Sequence, residues 1–301
     1  MKANETLRTE PWWVSSKRDK VLFNSSIQEY NPLYFIERNE FEGTMSSIAT
    51  FFTHREILLN LVRKNLKGKY AGSVLGILWA FINPLLLALI ISFVFTKILK
   101  MDVEHAYLFI LAGILPWTFF ANALQEAVVS IPAHGSMLKQ FSMPRMLIPL
   151  TSVLANFTLF LAGLLITLPF FATVNPKVIL MLPLLLAALF LQLLFTAGLS
   201  VMISAIYVSF RDINQLLNVL LLFWLWLTPV FYSIDMIPQA YRGLFHFNPM
   251  TPYISLYRNA LLYNGNASSG LLGISLLLSL TAGGAGFSVF HNREKDFLKQ
   301  I

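Results

Sequence analysis

Arg211 and Asp212 stand side by side in "AIYVSFRDINQLLNVLLLF", residues 205–223, and no other side chain between Val178 and Ile234 carries a charge. An adjacent cation and anion can cap a turn, pair across the rim of a partner's pocket, or form an ion site within lipid. Few other residues could do chemistry. Glu126 and His134 lie at or past the end of an apolar run, where a lone carboxylate is usually interfacial rather than a proton relay. The chain has no cysteine, which removes thiolate catalysis, disulfides and Cys-based metal sites together. Gly68-Lys69 lacks the first Gly and the Ser/Thr of a phosphate loop. The "GGAG" of Gly283 to Gly286 sits within an apolar run, where small residues serve close helix approach. Neither paired carboxylates nor a His/Arg-rich loop is evident, so hydrolysis and glycosyl transfer have no obvious residues. The expectation is a chain with no catalytic residue, no metal site and no cofactor of its own.

The elements around these residues are set by composition. Apolar residues make up 56% of the 301 and charged ones 12%, against about 25% charged in soluble domains. A bilayer crossing needs about 20 apolar residues. Six stretches supply them: Val74–Thr96, Ala106–Gln125 (closed by Glu126), Met146–Pro176, Val178–Phe210, Ile213–Ile234 and Ser269–Phe290. The fold class expected is an all-α polytopic membrane protein with six transmembrane helices. "GLFHFNPMTPYISLYRNALLY", Gly243–Tyr263, is apolar but broken by Pro249 and Pro252 and carries Arg258. Unsatisfied backbone is costly in lipid, so this segment reads as one or two short re-entrant or interfacial helices before the last span. A plain loop on the face opposite the termini is the alternative. With six spans both termini share one side. That side holds every Lys and Arg except Lys97, Lys100, Lys177, Arg242 and Arg258, which makes it cytoplasmic. The net charge of +7 flanks the spans, so it points to membrane rather than nucleic acid. No apolar run in the first seventy residues resembles a cleavable signal peptide.

Before the first span, "HREILLNLVRKNLKGKY" places Ile57, Leu58, Leu61, Val62 and Leu66 on one helical face and Asn60, Arg63, Lys64 and Lys67 on the other. A basic amphipathic helix of this kind lies in the membrane interface, and it could also touch a cytoplasmic partner or a lipid phosphate. The domain organisation expected is therefore a cytoplasmic extension over 1–53, an interface helix over 54–72, a six-span transmembrane domain over 73–290 and a cytoplasmic tail over 291–301. Proton or sodium coupling needs ionisable groups within the spans, and the spans hold almost none. Sodium sites built from carbonyls stay open. If this chain moves something uphill, a separate partner must hydrolyse ATP.

Several stretches together carry a resemblance. "NLVRKNLKGKYAGSVLGILWAFINPLLLALIISFVF", "LKQFSMPRMLIPLTSVLANF", "YVSFRDINQLLNVLLLFWLWLTPVFY", "FNPMTPYISLYRNALL" and "FHNREKDFL" resemble, in order over about residues 54–301, the permease subunit of type-2 ABC exporters. The branch they resemble most is the polysaccharide exporters of O-antigen, teichoic acid and capsule. The long N-terminal extension favours the first two. The resemblance implies a homodimer with two copies of a cytoplasmic ABC ATPase that binds the ATP and Mg, in the bacterial inner membrane, with a lipid-linked (undecaprenyl-type) polysaccharide as substrate. It implies two coupling segments. The first is Met137–Arg145, with Lys139, Phe141, Pro144 and Arg145. The second is Tyr207–Gln215, with Phe210, Arg211 and Asp212. It also places the lipid phosphate near Arg55, Arg63, Lys64, Lys67 and Lys69 of the interface helix. The residues agree at the two loops. Pro144 bars a continuous helix, and Phe210 could fill a partner's pocket with Arg211 and Asp212 at its rim. A charge-capped turn remains the simpler alternative.

Aromatics gather in the first, second and fifth spans, among them Trp79, Phe81, Phe93, Phe223, Trp224, Trp226 and Tyr232. Aromatic planes suit the CH faces of sugar rings, but the same residues also pack cores and anchor spans at interfaces. Two other functions fit the sequence. One is a type-2 exporter of a drug or lipid, and the other is a scaffold or enzyme of glycan assembly that works without an ATPase.

Overall fold

The computed structural model describes residues 54–100, 105–140, 143–263, 269–294 and 297, all within one compact unit, Thr53–Ile301. The expected extension over 1–53, Phe141 and most of the tail past Glu294 lie outside the described residues. Every regular element among the described residues is helical.

Helix α1, Arg55–Lys69, buries Leu58 and Val62 and leaves Arg55, Arg63, Lys64 and Lys67 exposed, as its amphipathic spacing predicts. The first apolar rod, Gly76–Ile98, is a 3-10 turn, then α2 (Trp79–Phe93), then a π turn over Val94–Ile98. After it come α3 (Ala106–Ala133), the short α4 (Gly135–Gln140), α5 (Leu147–Val174) and α6 (Leu182–Ser209). Helices α7 (Ile213–Leu227), α8 (Gln239–His246), α9 (Thr251–Leu261) and α10 (Ser269–Arg293) complete the order.

Among the described residues, five helices are long and apolar enough to cross a membrane. The stretch expected to be the fifth of six spans is the exception. Helix α7 stops at Leu227 after 15 residues, about 22 Å of rise, short of a hydrocarbon core of about 30 Å. The cause is Pro229, which disfavours helical backbone in the residue before it. Thr228 is extended, with φ −95° and ψ 135°. Asn248 then takes up the loose end, its Nδ2 donating to the Leu227 carbonyl and to Thr228 Oγ1, both at 2.9 Å. Helix α3 departs from expectation the other way. It runs eight residues past Gln125, to Ala133, because Glu126 finds a cation inside the fold instead of ending the helix.

Helix α3 is the centre of the bundle. Its side chains from Leu108 to Ile131 are mostly buried by α2, α5, α6, α7 and α9. The tightest pair is α6 with α10. Ser275, Ser279, Ala282 and Gly286 of α10 are buried at this seam. A Cβ on Gly286 would overlap the Gly198 carbonyl oxygen, and one on Gly198 would overlap the backbone of Ala282. Close approach is therefore the role of the last Gly of "GGAG"; Gly283 and Gly284 face open space. Ser279 Oγ also donates to the Leu191 carbonyl at 2.7 Å.

The broken segment Gly243–Tyr263 does form short helices. Helix α9, too short to cross a bilayer, is sunk among α3, α6 and α10. The Tyr253 hydroxyl reaches the Ser275 carbonyl at 3.0 Å and Ser279 Oγ at 2.8 Å. Arg258 is buried with its guanidinium 3.5 Å from the centre of the Phe109 ring, and it donates to the Val230 carbonyl at 2.7 Å. Gly113 leaves room for this, since a Cβ there would crowd Val230 and Arg258.

Candidate functional site

Two places gather polar side chains on the half of the bundle where α1 meets α5. The first is a cavity of about 380 Å³ between the end of α1 and helices α2, α3 and α5. Lys69, from the last turn of α1, pairs with Glu126 of α3 and donates to Asn156 Oδ1 at 2.8 Å. Asn156, buried on α5, donates its Nδ2 to Glu126 Oε2 and to the Ser152 carbonyl, both at 2.9 Å. The cation, carboxylate and amide satisfy one another and tie α1 to two long helices. Burial, and after it the Glu126 carboxylate, raise the Tyr70 phenol above its usual range, so it stays protonated at neutral pH. Trp79, Asn83, Thr118 and Asn122 line the rest with Phe119 and Phe160. Of the expected phosphate-binding residues, Arg55, Arg63, Lys64 and Lys67 are exposed and Lys69 is turned into this cavity.

The second is the end of the bundle formed by the turns α4–α5 and α6–α7 and the close of α10. Helix α4 ends at Gln140 with Lys139 exposed, and α5 does not begin until Leu147, beyond Pro144. Arg145 Nη1 donates to the Glu294 carbonyl at 2.6 Å. In the other turn Phe210 is 59% exposed, and the Arg293 guanidinium lies 5.8 Å from its ring centre, within cation–π reach. Arg211 and Asp212 are exposed and form no ion pair with each other. The last residue of α10 and the one after it thus touch one turn each, while Phe297 packs edge-on against Phe290 at 5.3 Å. This bridge was not expected from sequence, because it joins residues 149 positions apart at Arg145–Glu294 and about 80 apart at Phe210–Arg293.

The aromatics divide. Trp79, Phe93, Phe223 and Trp226 are exposed on α2 and α7, and Phe81 is half-buried. Trp224 is turned inward. Its Nε1 donates to Asn248 Oδ1 at 2.8 Å, and its ring meets Phe120 edge-on at 5.2 Å. The Tyr232 hydroxyl donates to the Trp226 carbonyl, and its ring meets Phe245 edge-on. Sequence reasoning gave Asn83 no role beyond its Asn-Pro match to the resembled family, and it missed Thr118, Asn122 and Asn156. A signal was available: Thr118, Asn122 and Glu126 recur every four residues, which is one face of a helix.

Residues 56–262 match the ABC-2 type transporter family. The chain is 28% identical over 244 residues to the O-antigen export system permease protein RfbA of Klebsiella pneumoniae, covering 80% of this chain and 93% of that protein. It is 28% identical over 263 residues to the RfbA of Myxococcus xanthus, covering 84% and 98%. The family match takes in the cavity, both turns and the helices up to α9. With that match over most of its length and apolar helices long enough to cross a bilayer, the chain belongs to the ABC-2 type transporter family and is a multi-pass permease of the inner membrane.

Proposed function

We propose that two copies of this chain form the membrane part of an ATP-driven exporter, which passes a lipid-linked polysaccharide such as O-antigen out of the cytoplasm. The observation that carries the reading is likeness to O-antigen export permeases along nearly their whole length. Two copies of a separate ABC ATPase bind the ATP and Mg and dock on the turns around Phe210 and Lys139–Arg145. The exposed Phe210 ring, on a turn braced by Arg293, has the character of an interface anchor. The exposed cations of α1 face the phosphate of an undecaprenyl-type carrier. The exposed aromatics of α2 and α7 line the passage between the copies, while Trp224 holds α7 in place from within.

The test is co-purification joined to export. The chain should bring down an ABC ATPase, and Phe210→Ala should weaken that binding about thirtyfold, the ~2 kcal/mol of an interface hot spot. Arg211→Ala or Asp212→Ala should reduce surface polysaccharide while the permease stays inserted. A wild-type chain that binds no ATPase, in cells whose polysaccharide still reaches the surface when ATPase genes are silenced, would overturn the reading.

A further inference from the structure

The cavity beside Lys69 has more hydrogen-bonding capacity than the protein uses. Lys69, Glu126 and Asn156 are matched to one another. Asn83, Thr118 and Asn122 line the same space, and among the described residues their side chains make no hydrogen bond. All three belong to helices long and apolar enough to cross a membrane; Thr118 is half-buried and Asn83 and Asn122 are exposed, so their polar groups can be reached by a ligand coming from the membrane. Thr118, Asn122 and Glu126 form a ladder along one face of α3, rising about 12 Å over eight residues. Asn83 faces it from α2.

The charges decide what this space accepts. Lys69 and Glu126 cancel, so an anionic ligand meets a carboxylate and a cationic one meets an ammonium. A neutral ligand rich in hydroxyls meets neither penalty. Amides and a hydroxyl offer it both donors and acceptors, and the indole of Trp79 at the margin offers a flat apolar face. A volume of about 380 Å³ is at the lower end of the roughly 300–1,000 Å³ range of small-molecule sites.

We propose that this cavity within a single subunit binds the sugar of a glycolipid entering from the membrane. Asn83, Thr118 and Asn122 hold its hydroxyls and Trp79 covers one ring face. The natural identity of that glycolipid rests on the export reading above; the preference for an uncharged sugar rests on the cavity alone.

The test uses the full chain in phospholipid nanodiscs, without ATPase, and a photoreactive octyl glucoside with a diazirine beside the sugar. Labelling, mapped by mass spectrometry, should concentrate on residues 79–84 and 118–126. Excess octyl glucoside should compete it away, and octyl phosphocholine should not. It should fall about tenfold in Asn83→Leu/Asn122→Leu and about threefold in the nearly isosteric Thr118→Val. It should be unchanged in Leu277→Ala, on the outer face of α10. Four outcomes would overturn the proposal: labelling spread evenly over exposed helices, labelling retained in folded variants, equal competition by phosphocholine, or an Asn122→Cys chain that forms a disulfide with a second copy. No step depends on export, so failure here leaves the exporter reading standing, and the reverse holds too.

Discussion

Asn248 and the Lys69–Glu126 pair show how single polar residues hold an apolar bundle together. Asn248 uses its whole amide. It accepts from Trp224 Nε1 and the Met250 backbone, and it donates to Leu227 and Thr228. Replacing it with Leu strands several of these groups, each costing about 1–3 kcal/mol, so Asn248→Leu should lower the thermal midpoint in detergent by several degrees. Its effect should exceed that of Asn122→Leu, whose amide makes no hydrogen bond among the described residues. For the ion pair, Lys69→Met and Glu126→Gln should each destabilise by about 1–2 kcal/mol. The double variant should recover part of the loss, with a coupling near 1 kcal/mol in a double-mutant cycle; strict additivity would mean that the pair contributes nothing. Both residues were visible in the sequence, but their pairing was not. Lys69 read as a headgroup contact and Glu126 as the stop of a span, since nothing local says that the end of α1 folds over α3.

Among the helices, periodicity was the reliable signal and proline the neglected one. Of the apolar stripe of α1, Leu58 and Val62 are buried, Leu61 and Leu66 are half-buried and Ile57 is exposed. Five long apolar runs became five long helices. The run through Ile234 did not, because hydropathy is blind to the backbone restriction that Pro229 places on Thr228. The burial of α9 was also illegible, since its Arg258 is sheltered by the Phe109 ring and the Val230 carbonyl, both distant in sequence. The seam between α6 and α10 gives a clear contrast. Gly286→Leu has no space and should abolish the monodisperse peak on size-exclusion chromatography. Gly283→Ala, three residues away and facing open space, should leave it unchanged.

For the molecule as a whole, the close of α10 matters most, because it joins the two turns proposed above to dock the ATPase. Arg145 reaches Glu294 and Arg293 lies over Phe210. Replacing Arg293, which lies in neither turn, should leave insertion intact yet reduce polysaccharide export per ATP hydrolysed. An unchanged ratio would make the bridge mere packing.

The glycine seam also has a mechanical consequence. Where backbone rests directly on backbone, no side-chain rotamers remain to absorb a slide or a twist, so α6 and α10 behave as one stiff post. Compliance is left to α2 and α7, whose outer faces are bare and whose attachment to the post is slight. Under the exporter reading proposed above, force delivered to the turn around Phe210 would enter at the foot of that post, immediately before the start of α7. The expected response is then a movement of α7 rather than of the post.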